Sequence, residues 1–329
     1  MIWLAWRQHR KQALFTGIGL VLLAALLIPT GLAMRHTFVH NGLPQCLRAV
    51  GSAKLVQGGG DACDAAFNQF RNQYQTWLSV GVLFLVLPLL VGMFWGAPLV
   101  AREVEHGTHR FVWTQGVSRR RWALVKFGVV GGATLVTATA YGLGLSWWLT
   151  PLTQSGVGRL GDFAFDMQGV APVGYTLFAV ALGIFAGTVW PRMLPAMAAT
   201  LVGFLGVRVA LSVLARPRYL APKTFTFLVE GTTGHPNDKV GDWVLAVGVR
   251  DASGKMVAPN IEVGCPPDAK GPDGQACGSR LGLGPGAYNW QLYQPAGRFW
   301  LFQGIETGIF VALAAVLIYL AVRRIRRIA

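Results

Sequence analysis

The segment AREVEHGTHRFVWTQGVSRRRWALVKF, residues 101–127, lies between two long apolar stretches and decides how the rest of the chain is read. It is polar, dense in charge and too short to bury a core of its own. Flanked by runs long enough to cross a bilayer, it reads as a docking element at a membrane face.

The composition around it agrees. The chain has 329 residues, 53% of them hydrophobic and only 13% charged, with a mean hydropathy of +0.45. Soluble domains carry about 25% charged residues, so the deficit assigns the chain to the integral membrane class. The net charge of +15 does not indicate nucleic acid, because the basic residues flank apolar spans rather than cover a soluble face.

Runs of about 20 apolar residues mark spanning helices. Six are found: Ala13–Ala33, Trp77–Val100, Leu124–Leu149, Pro172–Trp190, Leu194–Leu214 and Phe299–Val322. The fourth and fifth are separated only by Pro191, Arg192 and Met193 and form a tight hairpin. The first is too long for a signal-peptide core and no A-x-A site follows, so it reads as an uncleaved helix. Arg7, Arg10 and Lys11, Arg119 to Arg121, Arg192, and Arg323 to Arg327 fall on one side. The positive-inside rule then places both termini in the cytoplasm of a multi-pass plasma-membrane protein.

The expected fold is an all-α polytopic membrane protein with a small β-rich extracellular insert between the fifth and sixth helices. Residues 1–214 hold helices 1 to 5, the extracellular loop 34–76 and the cytoplasmic loop 101–123; residues 215–298 form the insert; residues 299–329 form helix 6 and a basic tail. Within the insert, the apolar runs Phe225–Val229, Val240–Val249, Met256–Val263 and Tyr288–Tyr293 alternate with turn-rich strings and read as strands. Asp64–Trp77 is expected to be helical. All four cysteines fall outside, where oxidation is permitted. The simplest pairing is local, Cys46 with Cys63 and Cys265 with Cys277; cross-loop pairing is the alternative.

Within 101–127, a short helix from Ala101 to Trp113 is expected beneath the membrane. Glu103 and Glu105 would sit at its start, where carboxylates favour the helix dipole. Phe111, Val112 and Trp113 would offer apolar contacts, Gly116 would break it, and Ser118 would cap the third span. Acids and aromatics on one short helix suit a pocket on another protein; the plain alternative is a charged turn that only sets topology.

The pattern E-x-E-x-G-T followed by Q-G-V-S-R-x-x-W-x-x-x-K resembles the first cytoplasmic loop of permeases in the type-2 ATP-binding-cassette exporter family. It is carried here by Glu103, Glu105, Gly107, Thr108, Gln115, Gly116, Val117, Ser118, Arg119, Trp122 and Lys126. WLAWRQ from Trp3, FWGAPLVARE at the end of the second span and YQPAGRFWLFQGIETGIF entering the sixth are similar to actinobacterial members. The insert is longer than the family's minimal pattern. The resemblance implies a permease that dimerises, as a homodimer in the simplest case, and pairs with two separate ATPase subunits. ATP and Mg would be bound by those partners, with no cofactor in this chain. Glu103, Glu105, Gly107, Thr108, Phe111, Trp113, Ser118 and Arg119 would dock on the ATPase. An N-terminal segment with Trp3, Trp6 and Arg7 would lie along the inner membrane face.

Two ionisable residues fall inside spans: Arg208 in the fifth and Glu306 in the sixth. Each lies about 22 Å from the inner end of its helix at 1.5 Å per residue. Charges in lipid pair or line a polar cavity, so an Arg208–Glu306 ion pair near the outer gate is expected. The glycine-rich third span is expected to pack closely on its neighbours, and Pro88 and Pro98 to kink the second. Catalysis and metal binding find little support. Lys255 follows a glycine without the spacing or hydroxyl of a phosphate loop. Asp162 and Asp166 have no histidine partner, and no cysteine lies at zinc-ligand spacing. The competing function is a membrane sensor or scaffold with a ligand-binding insert, signalling through the loop. An apolar bundle suits a drug, peptide or lipid better than a sugar.

Overall fold

The computed structural model describes residues 2–50, 60–107, 118–155, 158–231, 241–265 and 277–325. Among the described residues, six helices are long and apolar enough to cross a membrane: span 1 (Gln12–His40), span 2 (Ser79–Glu105), span 3 (Arg121–Gln154), span 4 (Ala171–Val189), span 5 (Met193–Arg218) and span 6 (Ala296–Ile325). Each contains or closely overlaps an apolar run of the sequence. Most extend past it by a few residues, because a helix does not stop where lipid does. Spans 1, 3, 4, 5 and 6 are not amphipathic in the soluble sense, as expected where lipid replaces water on the outer face.

The spans alternate in direction, giving the bundle two ends. At one, the loop end, span 2 finishes at Glu105 and span 3 starts at Arg121, and spans 4 and 5 are joined by the short turn at Trp190–Arg192. At the other, the sheet end, a four-stranded sheet is inserted between spans 5 and 6. Span 4 is the axis: 72% of its apolar window is buried, against 6% for span 1. Spans 2, 5 and 6 pack around span 4, and span 1 leans on span 3.

Span 2 is irregular for a local reason. Pro88 and Pro98 have no N–H, so two helical hydrogen bonds are missing. The helix answers with a 3₁₀ turn at Leu83–Val86 and a π segment at Gly92–Gly96. That distorted stretch crosses span 4 at closest approach. A Cβ on Gly183 would lie 2.5 Å from the Gly92 carbonyl oxygen, and one on Gly96 would lie 2.5 Å from the Val180 carbonyl oxygen. Glycines four apart on both helices let the two backbones touch: Gly92 and Gly96 meet Ala179 and Val180, Gly183 meets Gly92 and Gly96, and Gly187 meets Ala97 and Ala101. The third span does pack on spans 1 and 4, with Ala138, Tyr141 and Leu145 buried and a Cβ on Gly142 or Gly144 falling within 4 Å of a neighbour, but its glycines do not all share in it. At Gly128, Gly131 and Gly132 a Cβ would meet nothing within 4 Å. Composition alone does not say which glycines face a neighbour.

Residues 34–76 are largely helix rather than loop. Span 1 belongs to a helix that runs from Ile2 to His40, followed by Leu43–Val50 and by Gly60–Val82, which leads into span 2. The Cys46–Cys63 disulfide joins the two outer helices. Phe70 packs edge-on against Phe38, and Tyr74 Oη lies 2.8 Å from Thr37 Oγ1. Trp148 of span 3 is fully buried beneath them and donates its indole N–H to Thr30 Oγ1 at 2.9 Å.

The insert is β as expected. Strands β1 (Lys223–Leu228), β2 (Trp243–Arg250), β3 (Met256–Pro259) and β4 (Tyr288–Gln294) pair antiparallel in the order β1-β4-β2-β3. Val229, Val249, Leu283 and Ala287 form a small core beside the Cys265–Cys277 disulfide. The sheet is bonded to the spans, not tethered by a slack linker. Gln294 Nε2 donates to the Pro217 and Leu220 carbonyls at 3.1 and 2.7 Å. Asp242 Oδ1 accepts the Ala296 N–H at 2.7 Å, where span 6 begins.

Candidate functional site

At the loop end, the helix of span 2 stops at Glu105, not at Trp113. His106 is its C-cap and Gly107 takes φ +67°, a conformation that glycine adopts without Cβ strain. Gly116, where a break was expected, lies outside the described residues. Thr108, Phe111 and Trp113 lie outside the described residues. Glu103 and Glu105 thus sit on the last turn of a helix rather than the first, where the dipole disfavours carboxylates. Both are compensated by neighbours. Glu103 bonds Lys126 Nζ of span 3, and that ammonium also lies 4.9 Å from the Trp122 ring centroid. Glu105 Oε2 accepts the Met193 N–H at 3.0 Å, satisfying one of the orphan donors at the start of span 5. Ser118 caps the third helix, its Oγ accepting the Arg121 N–H at 3.3 Å; Arg119 is that helix's first residue. Two acids singled out for docking therefore bind span 2 to spans 3 and 5 within the chain. Trp3, Trp6 and Arg7 fall on the helix Ile2–His40, whose backbone continues without a break into span 1.

The sheet end holds the densest polar cluster. Arg216 has no exposed side-chain surface and Glu306 has 1%. Arg216 Nε and Nη2 donate to the two carboxylate oxygens of Glu306 at 2.9 and 2.6 Å, a forked pair between spans 5 and 6. Arg216 Nη2 also reaches Asp166 Oδ1 at 2.6 Å, and Arg208 Nη2 reaches Asp166 Oδ2 at 2.8 Å. Tyr175 of span 4 donates to Glu306 at 2.5 Å and lies 3.1 Å from Asp166. Tyr219 donates to Glu306 Oε2 at 3.3 Å. Burial first, and then the Glu306 carboxylate, pushes the Tyr219 phenol well above its usual value, so it remains a donor. The guanidinium of Arg208 stacks 3.7 Å from the Tyr175 ring centroid, and that of Arg216 lies 4.3 Å from Phe165.

The expected Arg208–Glu306 pair is replaced by a chain: Arg208, Asp166, Arg216, Glu306. Arg216 lies two residues beyond the apolar run Leu194–Leu214, about half a turn, and that short extension brings it opposite Glu306. Asp166 sits on the short helix Asp162–Met167 between spans 3 and 4, which folds back over the cluster. Two guanidinium groups and two carboxylates balance, as buried charges must. The signal in the sequence was the acid at Glu306; Arg216 and Asp166 carried none, because both lie outside the apolar runs. Gln303 was missed as well. Its Oε1 accepts the Val170 and Ala171 N–H groups at 3.0 and 2.7 Å, and its Nε2 donates to Phe165 O at 2.8 Å, so span 6 caps the start of span 4.

Among the described residues, no group of three or more His, Cys, Asp or Glu is placed to hold a metal ion. Six apolar spans among the described residues, tied by internal polar contacts, define a multi-pass membrane protein. The family model described as "ABC-2 membrane transporter related" matches residues 17–216, and the chain belongs to that family. The match takes in spans 1 to 4 and most of span 5; the sheet and span 6 lie beyond it. No curated protein and no solved structure matches the chain.

Proposed function

We propose that this chain is the permease subunit of an ATP-driven exporter, working as a dimer with two copies of a separate ATPase that binds ATP and Mg. The loop end faces the cytoplasm and the sheet faces outward, in keeping with the arginines at Arg192, Arg323 and Arg324 and the disulfides beside the sheet end. The observation that carries the reading is the placement of Glu103 and Glu105. A force on the segment 101–127 reaches span 3 through Glu103–Lys126 and span 5 through Glu105–Met193. It reaches span 4 through the glycine crossing. Closure of the ATPases would thus tilt three spans by moving one loop, biasing a bundle with two arrangements. The substrate is hydrophobic or amphipathic: a drug, peptide or lipid.

The test is co-purification with the ATPase in mild detergent, comparing wild type with Phe111→Asp/Trp113→Asp. The wild type is expected to bring down the ATPase and the variant to lose it while its unfolding midpoint stays put. Glu105→Arg is a poorer probe, since it removes the cap on span 5 as well as the charge. A wild type that brings down no ATPase overturns the exporter reading. It would then favour the sensor, for which the ordered sheet outside the family match is the supporting feature.

A further inference from the structure

Spans 1, 2 and 5 enclose an open cleft of about 840 Å³ at the loop end. Its polar rim carries Arg102, His106 and Arg192, all exposed, against one acid, Glu105, whose Oε2 is already committed to the Met193 N–H. Neither arginine makes an ion pair among the described residues. The remaining wall is apolar, with Phe94 and Pro98 from span 2 and Leu194 and Pro195 from span 5. Leu194 is 75% exposed and Phe94 54% exposed, and both belong to spans apolar enough to lie in lipid. Cations at the headgroup level above an apolar slot that faces lipid have one complementary occupant. An aqueous anion would use the rim and leave the slot empty; a lipid tail alone would leave the arginines unmatched.

We propose that this cleft binds an anionic phospholipid, its phosphate held by Arg102 and Arg192 and the first part of an acyl chain lying against Phe94 and Leu194. Arginine suits the role because its fork matches a phosphate in two-point contact. The lipid would wedge between spans 2 and 5 beside the Glu105–Met193 bond. The inference rests on the membrane assignment and not on the exporter reading, so a missing ATPase leaves it standing.

The experiment is native mass spectrometry of the full chain released from mixed phosphatidylglycerol–phosphatidylcholine micelles. Wild type is compared with Arg102→Gln/Arg192→Gln, and with Arg218→Gln at the other end of the bundle. Wild type is expected to retain phosphatidylglycerol over phosphatidylcholine. The double variant should lose at least about tenfold of that preference, as for removal of charge-assisted hydrogen bonds, and Arg218→Gln should keep it. If the double variant does not fold, each single variant carries the same test. Equal retention of the two lipids by wild type, or an unchanged preference in the cleft variants, overturns the proposal. Displacement by glycerol 3-phosphate alone would reassign the rim to a soluble anion and overturn it too.

Discussion

The two ends of the bundle solve the same problem, joining helices through polar groups, in opposite ways. At the sheet end, Arg216, Glu306, Asp166, Arg208 and Tyr175 interlock below the surface, and the central pair is sealed from solvent. At the loop end the polar joints among the described residues are separate and partly solvated: the Glu103–Lys126 ion pair with 17% of the Glu103 side chain exposed, the cap from an exposed Glu105, and Arg324 Nε donating to the Thr188 carbonyl at 3.0 Å between spans 6 and 4. A buried network has few arrangements that satisfy every member. Isolated, partly solvated contacts break and reform with water as the substitute. The comparison teaches that spans 4, 5 and 6 share one sealed polar network at the sheet end, whereas at the loop end they are joined by separate polar contacts over apolar packing.

The largest expected effect breaks the sealed end. Arg216→Ala leaves Glu306 and Asp166 without their shared partner, and stripping one member from a buried ion pair costs about 3–5 kcal/mol. The unfolding midpoint in detergent should fall steeply, with Arg216→Lys restoring only part because an ammonium cannot make the forked contact. A midpoint close to wild type for Arg216→Ala would end the idea of a stabilising network. Next in size is the crossing between the ends. Gly183→Ala forces a methyl against the Gly92 carbonyl at 2.5 Å, and overpacking of this kind costs about 1–3 kcal/mol. Gly131→Ala, in open space, should cost nothing measurable beside it; equal losses would show that the crossing is not special.

Smaller again is the loop end itself. Glu105→Ala removes the cap on span 5, about 1 kcal/mol by analogy with other caps, while Glu105→Gln keeps an acceptor oxygen and should behave as wild type in the same melt. If Gln is as damaging as Ala, the carboxylate acts through its charge and the assignment as a cap is wrong. The smallest effect lies in the sheet. The Ser253 hydroxyl, together with the Lys255 and Ser253 N–H groups, holds the Asp251 carboxyl below its ordinary value of 3.8. A depressed acid contributes its stability in full above the unfolded value and loses it as pH falls through the folded one. The turn at Asp251–Lys255 should therefore loosen only below pH 3.8. Amide exchange at Ser253 and Lys255 that rises in step with acidification from pH 6 would contradict this.

Much of the architecture is written in the sequence, for physical reasons that act locally. A lipid-facing helix must be apolar along its whole length, so six spans show as six runs. The alternation of the insert and its turn strings predicts four strands, and four appear within a few residues of the expected places. Cysteines close along the chain pair with each other, as Cys46–Cys63 and Cys265–Cys277 do. Ser118 reads as a cap and is one.

Other features were decided by the tertiary structure. Which base meets Glu306 depends on how far the fifth helix continues past its apolar run and on where the 162–167 helix folds back. Neither is fixed by a neighbour in sequence. That Glu105 caps span 5 depends on residues 105 and 193 meeting across the bundle. Which glycines permit a crossing depends on the face each helix turns inward. Hydrophobicity and turn chemistry act within a few residues and can be read from the chain. Charge pairing and close packing act across elements far apart in it, and only the folded bundle brings them together.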